Sequence, residues 1–258
     1  MPRYSLYIFD LDGTVYRGDE PIPYAAETIC TLKAQGAQIG YLTNNSGQTR
    51  EFFLAKLRRM GFPAELNEIY TSGVGCASYL IASELRSVFV VGEPGLVAGL
   101  RDHGLEVVNA GEDGRVMPDG GPSEAVVVGI CRQFTYDIMN GAMQRIRSGQ
   151  AFVATNPDTT YPMEQGRLVP GAGSVLAGIQ ACSETEPYVV GKPNPFLIDL
   201  MLQEFGCVAS EALVVGDRLD TDIESGRRAG CPTHLVLTGV THHAPVGQAF
   251  SEDLRGLL

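Results

Sequence analysis

The stretch that decides the fold of this chain reads Ile8-Phe9-Asp10-Leu11-Asp12-Gly13-Thr14. The apolar and aromatic residues 4–9 predict a buried parallel strand, and the glycine that follows predicts its end. Asp10 and Asp12 lie two residues apart at the carboxyl end of this strand, where open α/β sheets bind their ligands. Two neighbouring carboxylates repel each other unless a cation lies between them or one binds a proton. The pair therefore indicates a divalent metal, acid–base chemistry or both; an ordinary Asp-Gly turn is the alternative.

The composition limits the classes of partner. The chain has 258 residues, which is enough for one large α/β domain or two smaller ones. The 30 acidic residues outnumber the 19 basic residues, which gives a net charge of −11. This charge argues against a nucleic-acid polymer as partner. No apolar run approaches the roughly 20 residues that span a membrane. The 6 cysteines never form a Cys-x-x-Cys pair, which predicts reduced thiols in a cytoplasmic protein.

Strand-like and helix-like stretches alternate along the whole chain, which predicts a parallel sheet flanked by helices. A second strand is predicted over residues 38–43, and the motif Thr43-Asn44-Asn45-Ser46 begins where it ends. Hydroxyl and amide groups in this motif can donate hydrogen bonds to phosphate oxygens. Capping of the helix that is predicted to begin at Thr49 is the alternative.

Two charged motifs follow later strands of the predicted sheet. Lys192 comes directly after a strand over residues 188–190, although a single lysine is commonly a solvated surface group. Asp217, Asp220 and Asp222 follow a strand over residues 212–215, and a helix is predicted over residues 222–229. Three carboxylates so close together suit Mg²⁺, which prefers hard oxygen ligands. Because the ends of parallel strands converge, these motifs can share one crevice and support phosphoryl transfer through an aspartyl-phosphate.

In these motifs the chain resembles the haloacid dehalogenase-like (HAD) phosphatases, and within them the NagD-like and p-nitrophenylphosphatase-like branch. The four family motifs correspond, in order, to Asp10-Leu11-Asp12-Gly13-Thr14, Thr43, Lys192, and Gly216-Asp217 with Asp222. Further stretches resemble the branch: Leu42-Thr43-Asn44-Asn45-Ser46, Ala154-Thr155-Asn156-Pro157-Asp158, Gly191-Lys192-Pro193 and Thr221-Asp222-Ile223. The resemblance covers nearly the whole chain.

The resemblance implies a Rossmann-like, doubly wound parallel sheet as the core of an α/β fold, with an inserted α/β cap domain of the C2 type. The spacing of the motifs independently indicates an insertion, because 148 residues separate Thr43 from Lys192 and two or three βα units need far fewer. We therefore predict a core formed by residues 1–79 and 185–258 and a cap formed by residues 80–184.

The resemblance also implies a role for each residue of the motifs. Asp10 is the expected nucleophile, and Asp12 the expected general acid and base. Mg²⁺ is expected to bind Asp10, Asp217 and the backbone carbonyl of Asp12. Asp222 is expected to orient Lys192 or a metal-bound water rather than to contact the metal. The residues expected to bind the phosphoryl group are Thr43, Asn44, Asn45 and Lys192.

The predicted function is Mg²⁺-dependent hydrolysis of a small phosphorylated metabolite, such as a sugar phosphate, phosphoglycolate, glycerol phosphate or a nucleotide. We expect a cytoplasmic monomer or homodimer without a membrane partner. One alternative is a phospho-accepting receiver-like module, but such modules have about half this length and no use for Asp12. The other alternative is a catalytically silent binding protein on the same fold.

Two stretches depart from this pattern. Cys131 stands where the branch commonly carries an acidic residue, which predicts altered contacts between the cap and the substrate; packing inside the cap is the alternative. The stretch Pro170-Gly171-Ala172-Gly173-Ser174 resembles a phosphate-binding loop only superficially. Because no strand is predicted directly before this stretch, it predicts the start of a helix with Ser174 as the helix cap.

Overall fold

The computed structural model of the protein describes residues 3–162 and 167–258, which contain fifteen strands and eight α-helices. The strands are β1 (Leu6–Asp10), β2 (Tyr16–Arg17), β3 (Glu20–Pro21), β4 (Gln38–Thr43), β5 (Ile69–Thr71), β6 (Ser87–Val91), β7 (Glu106–Val107), β8 (Ala125–Val128), β9 (Ala151–Ala154), β10 (Thr160–Pro162), β11 (Leu168–Pro170), β12 (Tyr188–Val189), β13 (Ala212–Gly216), β14 (Thr233–Val236) and β15 (Phe250–Ser251). The α-helices are α1 (Ala25–Ala34), α2 (Arg50–Arg59), α3 (Ser72–Ala82), α4 (Pro94–Asp102), α5 (Tyr136–Arg147), α6 (Ala172–Ser183), α7 (Phe196–Phe205) and α8 (Glu224–Arg228).

The described residues form two compact units. The first unit contains the described residues of Met1–Thr43, Arg50–Tyr70 and Lys192–Leu258, and the second contains Asn44–Thr49 and Thr71–Gly191. The predicted boundaries at residues 80 and 184 both fall inside the second unit, because α3 packs against α4 and β12 pairs with β9, and they stay a prediction. The role of the second unit as a cap stays a prediction.

The first unit is built on a six-stranded sheet with the strand order β15-β14-β13-β1-β4-β5. Strand β1 lies in the middle and pairs in parallel with β13 on one side and β4 on the other. The register places Phe9 opposite Val215 and Asp10 opposite Leu42. The predicted α/β fold with a parallel central sheet is thereby confirmed, and the carboxyl ends of β13, β1 and β4 lie side by side.

Strand β1 is apolar at nearly every position because both of its faces are buried. Tyr7 and Phe9 belong to a cluster of buried side chains that also includes Ile29 of α1 and Phe53 of α2. Leu6 and Ile8 point to the opposite face, and neither has any exposed surface. A continuous apolar run of this kind is typical of central parallel strands.

The second unit has its own five-stranded sheet, with the strand order β12-β9-β8-β6-β7 and parallel pairing throughout. Its central strand β8 has four fully buried residues. Helix α5 packs against this sheet and against α6. Within the two described stretches of the chain, no helix is long and apolar enough to cross a membrane.

Two antiparallel hairpins, β2–β3 and β10–β11, were not predicted, because strands of two or three residues are too short to show a periodic pattern. Two predictions about residues 170–174 are therefore wrong. Strand β11 directly precedes this stretch, and the residue that caps α6 is Gly171 rather than Ser174. The hydroxyl of Ser174 instead donates to the carbonyl of Thr159 at 2.6 Å.

The helix predicted over residues 222–229 begins later than expected. A wide π-type turn spans Leu219–Ile223, and α8 follows it. The N–H groups of Asp222 and Ile223 both donate to the carbonyl of Arg218, each at 3.1 Å. Such widened turns occur often at functional sites because they redirect a side chain.

A buried asparagine in the loop that follows β7 ties this loop to strand β6. Asn109 Nδ2 donates to the carbonyls of Val90 and Met117 at 2.8 and 3.0 Å, and Asn109 Oδ1 accepts from the N–H of Val90 at 2.7 Å. We expect Asn109→Ala to lower the free energy of unfolding by about 3 kcal/mol, because it leaves three buried backbone groups without their partner. Urea unfolding followed by circular dichroism measures this loss.

The matched control for this substitution is Asn140→Ala. Asn140 is exposed on α5, and it accepts one long side-chain hydrogen bond of 3.4 Å from Gln144. Removing an exposed group of this kind changes stability by less than about 0.5 kcal/mol. Equal losses of unfolding free energy in the two variants would show that the hydrogen bonds of Asn109 do not stabilise the protein.

Candidate active site

Four of the predicted residues meet at the carboxyl edge of the first sheet. Asp10 is the last residue of β1, Asp217 directly follows β13, and Asp222 lies in the wide turn that comes next. One carboxylate oxygen from each of the three lies within 4.8 Å of the others. Lys192 joins them from the start of the last segment of the first unit.

Lys192 connects two of these carboxylates. Its ammonium lies 2.5 Å from Oδ1 of Asp10 and 2.7 Å from Oδ1 of Asp222. The side chain of Lys192 is only 4% exposed. The alternative of a solvated surface lysine is therefore wrong, because this ammonium is buried between two acidic partners.

Asp217 is held by groups from both ends of the first unit. Its Oδ1 accepts from the hydroxyl of Thr14 at 3.3 Å, and its Oδ2 accepts from the N–H of Val240 at 2.6 Å. Gly13 and Gly239 leave room for this carboxylate, since a Cβ at either position would lie 2.7 or 2.0 Å from its nearest atom. Gly13 also has a φ of +95°, which favours glycine.

The sequence analysis did not single out Thr14 or Val240 as contacts of the site. Thr14 stands within the decisive motif, but nothing in the motif indicates which carboxylate its hydroxyl contacts. Val240 lies in the loop after β14, a strand of the same sheet. A search of every loop that follows a strand of this sheet would have included it.

Asp222 is fixed by donors on both of its oxygens. Its Oδ1 accepts from Lys192 and from the hydroxyl of Thr221 at 3.3 Å, and its Oδ2 accepts from the N–H of Arg218 at 3.0 Å. Gly216 allows the close approach, because a Cβ there would lie 2.2 Å from the Cβ of Asp222. This geometry favours the orientation of Lys192 as the task of Asp222.

The cluster carries more negative than positive charge. Three carboxylates face one ammonium, which leaves a formal charge of −2 in a largely buried position. Burial and the charge of Asp222 raise the pKa of Asp10 well above its usual range, against the opposing charge of Lys192. Burial and Asp222 likewise raise the pKa of Asp217 to about 6. A divalent cation would offset this excess, and an all-oxygen donor set fits Mg²⁺.

The same carboxylates also raise the pKa of the lysine. Burial disfavours the charged form of Lys192, but the carboxylates of Asp10 and Asp222 outweigh it and raise the pKa of the ammonium above its usual value. Lys192 therefore stays positively charged over the physiological pH range.

Asp12 lies in the tight turn after β1. The N–H groups of Val15 and Tyr16 both donate to the carbonyl of Leu11, at 2.9 and 3.1 Å. Asp12 keeps exposed surface, but partial desolvation by the surrounding chain raises the pKa of its carboxyl against the opposing charge of Lys56. A raised pKa suits a group that donates a proton near neutral pH.

The predicted phosphoryl-binding residues divide between the two units. Thr43 is buried at the end of β4, one position beyond the residue that pairs with Asp10. Asn44 and Asn45 belong to the second unit. Asn45 Oδ1 accepts from the N–H of Gly47 at 2.8 Å, and Asn44 Nδ2 donates to Asp158 at 3.0 Å. Contact of these two asparagines with a phosphoryl group stays a prediction.

Cys131 is buried in the second unit, where 5% of its surface is exposed. Burial raises the pKa of its thiol to about 11, so the thiol is protonated at neutral pH. This burial favours the interpretation of Cys131 as a packing residue over that of a substrate contact.

Family profiles match both ends of the chain. A profile described as haloacid dehalogenase-like hydrolase matches residues 7–106, and one described as HAD-hydrolase-like matches residues 189–254. Among characterised proteins, glycerol-3-phosphate phosphatase of Rattus norvegicus is 34% identical over 256 residues. This match covers 91% of the present chain and 79% of the rat protein.

Solved structures show the same relationship. The p-nitrophenyl phosphatase from Archaeoglobus fulgidus superposes with a TM-score of 0.88 at 32% identity and covers 98% of both chains. Glycerol phosphate phosphatase from Mycobacterium tuberculosis, solved in complex with magnesium, superposes with a TM-score of 0.85 at 33% identity. That match covers 99% of the present chain and 76% of the mycobacterial one.

The close contact at Gly239 gives a test of the acidic cluster. We expect Gly239→Ala to weaken Mg²⁺ binding by roughly 10- to 100-fold, because the new methyl group displaces the carboxylate of Asp217. Isothermal titration calorimetry with MgCl₂ measures the effect. Gly99→Ala is the control, since a Cβ at Gly99 would meet nothing within 4 Å. Unchanged Mg²⁺ affinity in the Gly239 variant would argue against Asp217 as a ligand.

Proposed function

This chain belongs to the haloacid dehalogenase-like hydrolases and is a phosphatase of that family, and we propose that it hydrolyses small phosphate monoesters through an aspartyl-phosphate on Asp10 with Mg²⁺ as cofactor. The observation that carries this proposal is the buried cluster of Asp10, Asp217, Asp222 and Lys192. A nucleophilic carboxylate beside a fixed ammonium is what phosphoryl transfer to an aspartate needs.

In the first step an oxygen of Asp10 bonds to the substrate phosphorus while the bond from phosphorus to the leaving oxygen breaks. Asp12 gives its proton to that oxygen, so the product leaves as a neutral alcohol. Lys192 and Thr43 hold the oxygens of the phosphoryl group, and the ammonium offsets the charge that develops on them. Asp222 keeps Lys192 in place through its 2.7 Å contact.

In the second step Asp12, now ionised, takes a proton from a water molecule. The resulting hydroxide bonds to phosphorus, and the bond between phosphorus and Asp10 breaks. Inorganic phosphate leaves, Asp10 is again a carboxylate and Asp12 is again protonated. The same residue serves as acid and then as base, so every proton is accounted for.

The residues that would hold Mg²⁺ are Asp10, Asp217 and the backbone carbonyl of Asp12. When bound, the ion offsets repulsion between the nucleophilic carboxylate and the anionic substrate. The formal charge of −2 in the cluster supports a divalent ion, and a similar phosphatase was solved with magnesium. Thr14 and Val240 orient Asp217 for this task through their hydrogen bonds.

The proposed substrates are small phosphorylated metabolites, with glycerol phosphate as the first to test. Two similar proteins are glycerol phosphate phosphatases, which supports this choice. The excess of acidic residues disfavours a nucleic-acid polymer as substrate. We further propose a cytoplasmic location, because all six cysteines are free thiols in the structure. A monomer or homodimer is proposed as the oligomeric state.

The central test is Asp10→Asn, which keeps the shape of the side chain but removes the nucleophile. We expect phosphate release from p-nitrophenyl phosphate and glycerol 3-phosphate to fall at least about a thousandfold. Acid-quenched wild-type enzyme should carry label from ³²P-labelled substrate on Asp10, and the variant should carry none. The matched control is Asp220→Asn, because Asp220 is exposed and pairs with Arg218 outside the cluster. Turnover of the Asp10 variant near the wild-type rate would end the proposal.

The proposed role of Asp12 as general acid predicts that the rate loss caused by its substitution depends on the leaving group. Nitrophenolate departs without protonation, whereas the alkoxide of glycerol needs a proton. Asp12→Asn should therefore slow the first step by about tenfold more for glycerol 3-phosphate than for p-nitrophenyl phosphate. Single-turnover kinetics isolate this step from the later hydrolysis, which also uses Asp12. Equal losses for both substrates would count against Asp12 as the general acid.

A further inference from the structure

One buried side chain of the second unit contacts the chain next to a proposed phosphoryl-binding residue. Asn156 is 5% exposed and directly follows the loop residue Thr155 after β9. Its Nδ2 donates to the backbone carbonyl of Asn44 at 2.7 Å and to the hydroxyl of Thr155 at 3.2 Å. Its Oδ1 accepts from the N–H of Asp158 at 3.1 Å. Asn44 is joined by its peptide bond to Thr43.

The chain next to Lys192 reaches the same place. The N–H of Gly191 donates to the carbonyl of Thr155 at 2.9 Å. A Cβ at Gly191 would lie 2.3 Å from that carbonyl oxygen, 2.6 Å from Oδ1 of Asn44 and 3.2 Å from the Cβ of Asn156. The residue after Thr43 and the residue before Lys192 are therefore both packed against Thr155 and Asn156.

A second set of contacts, made by Asp158, also holds Asn44 in place. Asn44 Nδ2 donates to Oδ2 of Asp158 at 3.0 Å, and the N–H of Gly173 donates to the carbonyl of Asp158 at 2.9 Å. A Cβ at Gly171 or Gly173 would lie 2.2 Å from the carbonyl oxygen of Asp158 or Pro157, respectively. Gly171, which caps α6, and Gly173, in its first turn, thus allow residues 157–158 to pack against the start of this helix.

We infer that Asn156 is a positioning residue for phosphoryl transfer, because it holds the backbone of Asn44 and packs against Gly191, which are joined by peptide bonds to Thr43 and Lys192. The inference rests on the proposed function, which assigns these two residues to the phosphoryl group. The carbonyl of Asn44 accepts from Asn156 and also from the hydroxyl of Ser72 at 2.5 Å, so its peptide group has one orientation. Asp217 depends instead on contacts within the first unit, those of Thr14 and Val240.

The test compares Asn156→Ala with Asn109→Ala. Both asparagines are buried in the second unit, and each donates two hydrogen bonds and accepts one. Thermal unfolding then reports the structural cost of each substitution, which we expect to be similar. All activity assays are run below the melting temperature of both variants.

We expect only Asn156→Ala to lower kcat/KM, by roughly 10- to 100-fold, because small displacements of positioning groups have effects of this size. Inhibition by inorganic phosphate should weaken by a similar factor. The Mg²⁺ affinity from calorimetry should stay within about twofold of the wild type, since Thr14 and Val240 hold Asp217 within the first unit and neither of them contacts Asn156. Asp158→Ala, at a partly exposed position, should change kcat/KM and phosphate inhibition in the same direction.

Three outcomes would overturn the inference. Equal losses of kcat/KM in the Asn156 and Asn109 variants would show a general effect of destabilising the second unit. Unchanged phosphate inhibition in the Asn156 variant would show that Thr43 and Lys192 do not depend on it. A parallel loss of Mg²⁺ affinity would show that the whole site had collapsed. Calorimetric binding of inorganic phosphate is independent of turnover, so this test stands even if Asp10→Asn contradicts the covalent mechanism.

Discussion

The contact of one buried ammonium with two carboxylates is the interaction on which the site depends. Lys192 lies between Asp10 and Asp222 with little exposed surface, so neither its charge nor that of its partners is solvated by bulk water. Removing Lys192 would leave its two acidic partners without a compensating charge, which is strongly destabilising. The three residues come from distant parts of the chain, and the first sheet brings Asp10 and Asp222 together by ending β1 and β13 at the same edge.

The site requires glycines around this contact as well as the charged residues themselves. Gly13, Gly216 and Gly239 each lie where a Cβ would overlap Asp217 or Asp222. The two carboxylates are therefore confined by backbone on several sides and fixed by donors from backbone and hydroxyl groups. Confinement of this kind reduces the reorganisation that the charged groups undergo during reaction, which is the physical basis of electrostatic preorganisation.

The sequence was sufficient to predict the α/β fold and the residues of the acidic cluster. Asp10 and Asp217 each come at the end of an apolar strand of the first sheet, where the strand ends converge. Lys192 was expected to follow a strand of that same sheet, and this expectation was wrong, because the strand before it, β12, pairs with β9 in the second sheet. The partners of these residues were not predictable in the same way. The contact between Thr14 and Asp217 joins positions 203 residues apart, and no periodic pattern indicates it. The short hairpins and the wide turn at Leu219–Ile223 also escaped prediction, because they depend on side-chain contacts rather than on hydrophobic periodicity.

The second unit is not encoded by one continuous segment. Asn44–Thr49 belongs to it, although the chain before and after this hexapeptide belongs to the first unit. An exchange of residues 71–191 alone between relatives would separate Asn44 from its own partners, because Asn156 and Asp158 would be replaced while Asn44 stayed behind. A functional chimaera must transplant the hexapeptide together with the larger segment. A substitution in either segment therefore changes the surroundings of a partner more than a hundred positions away along the chain.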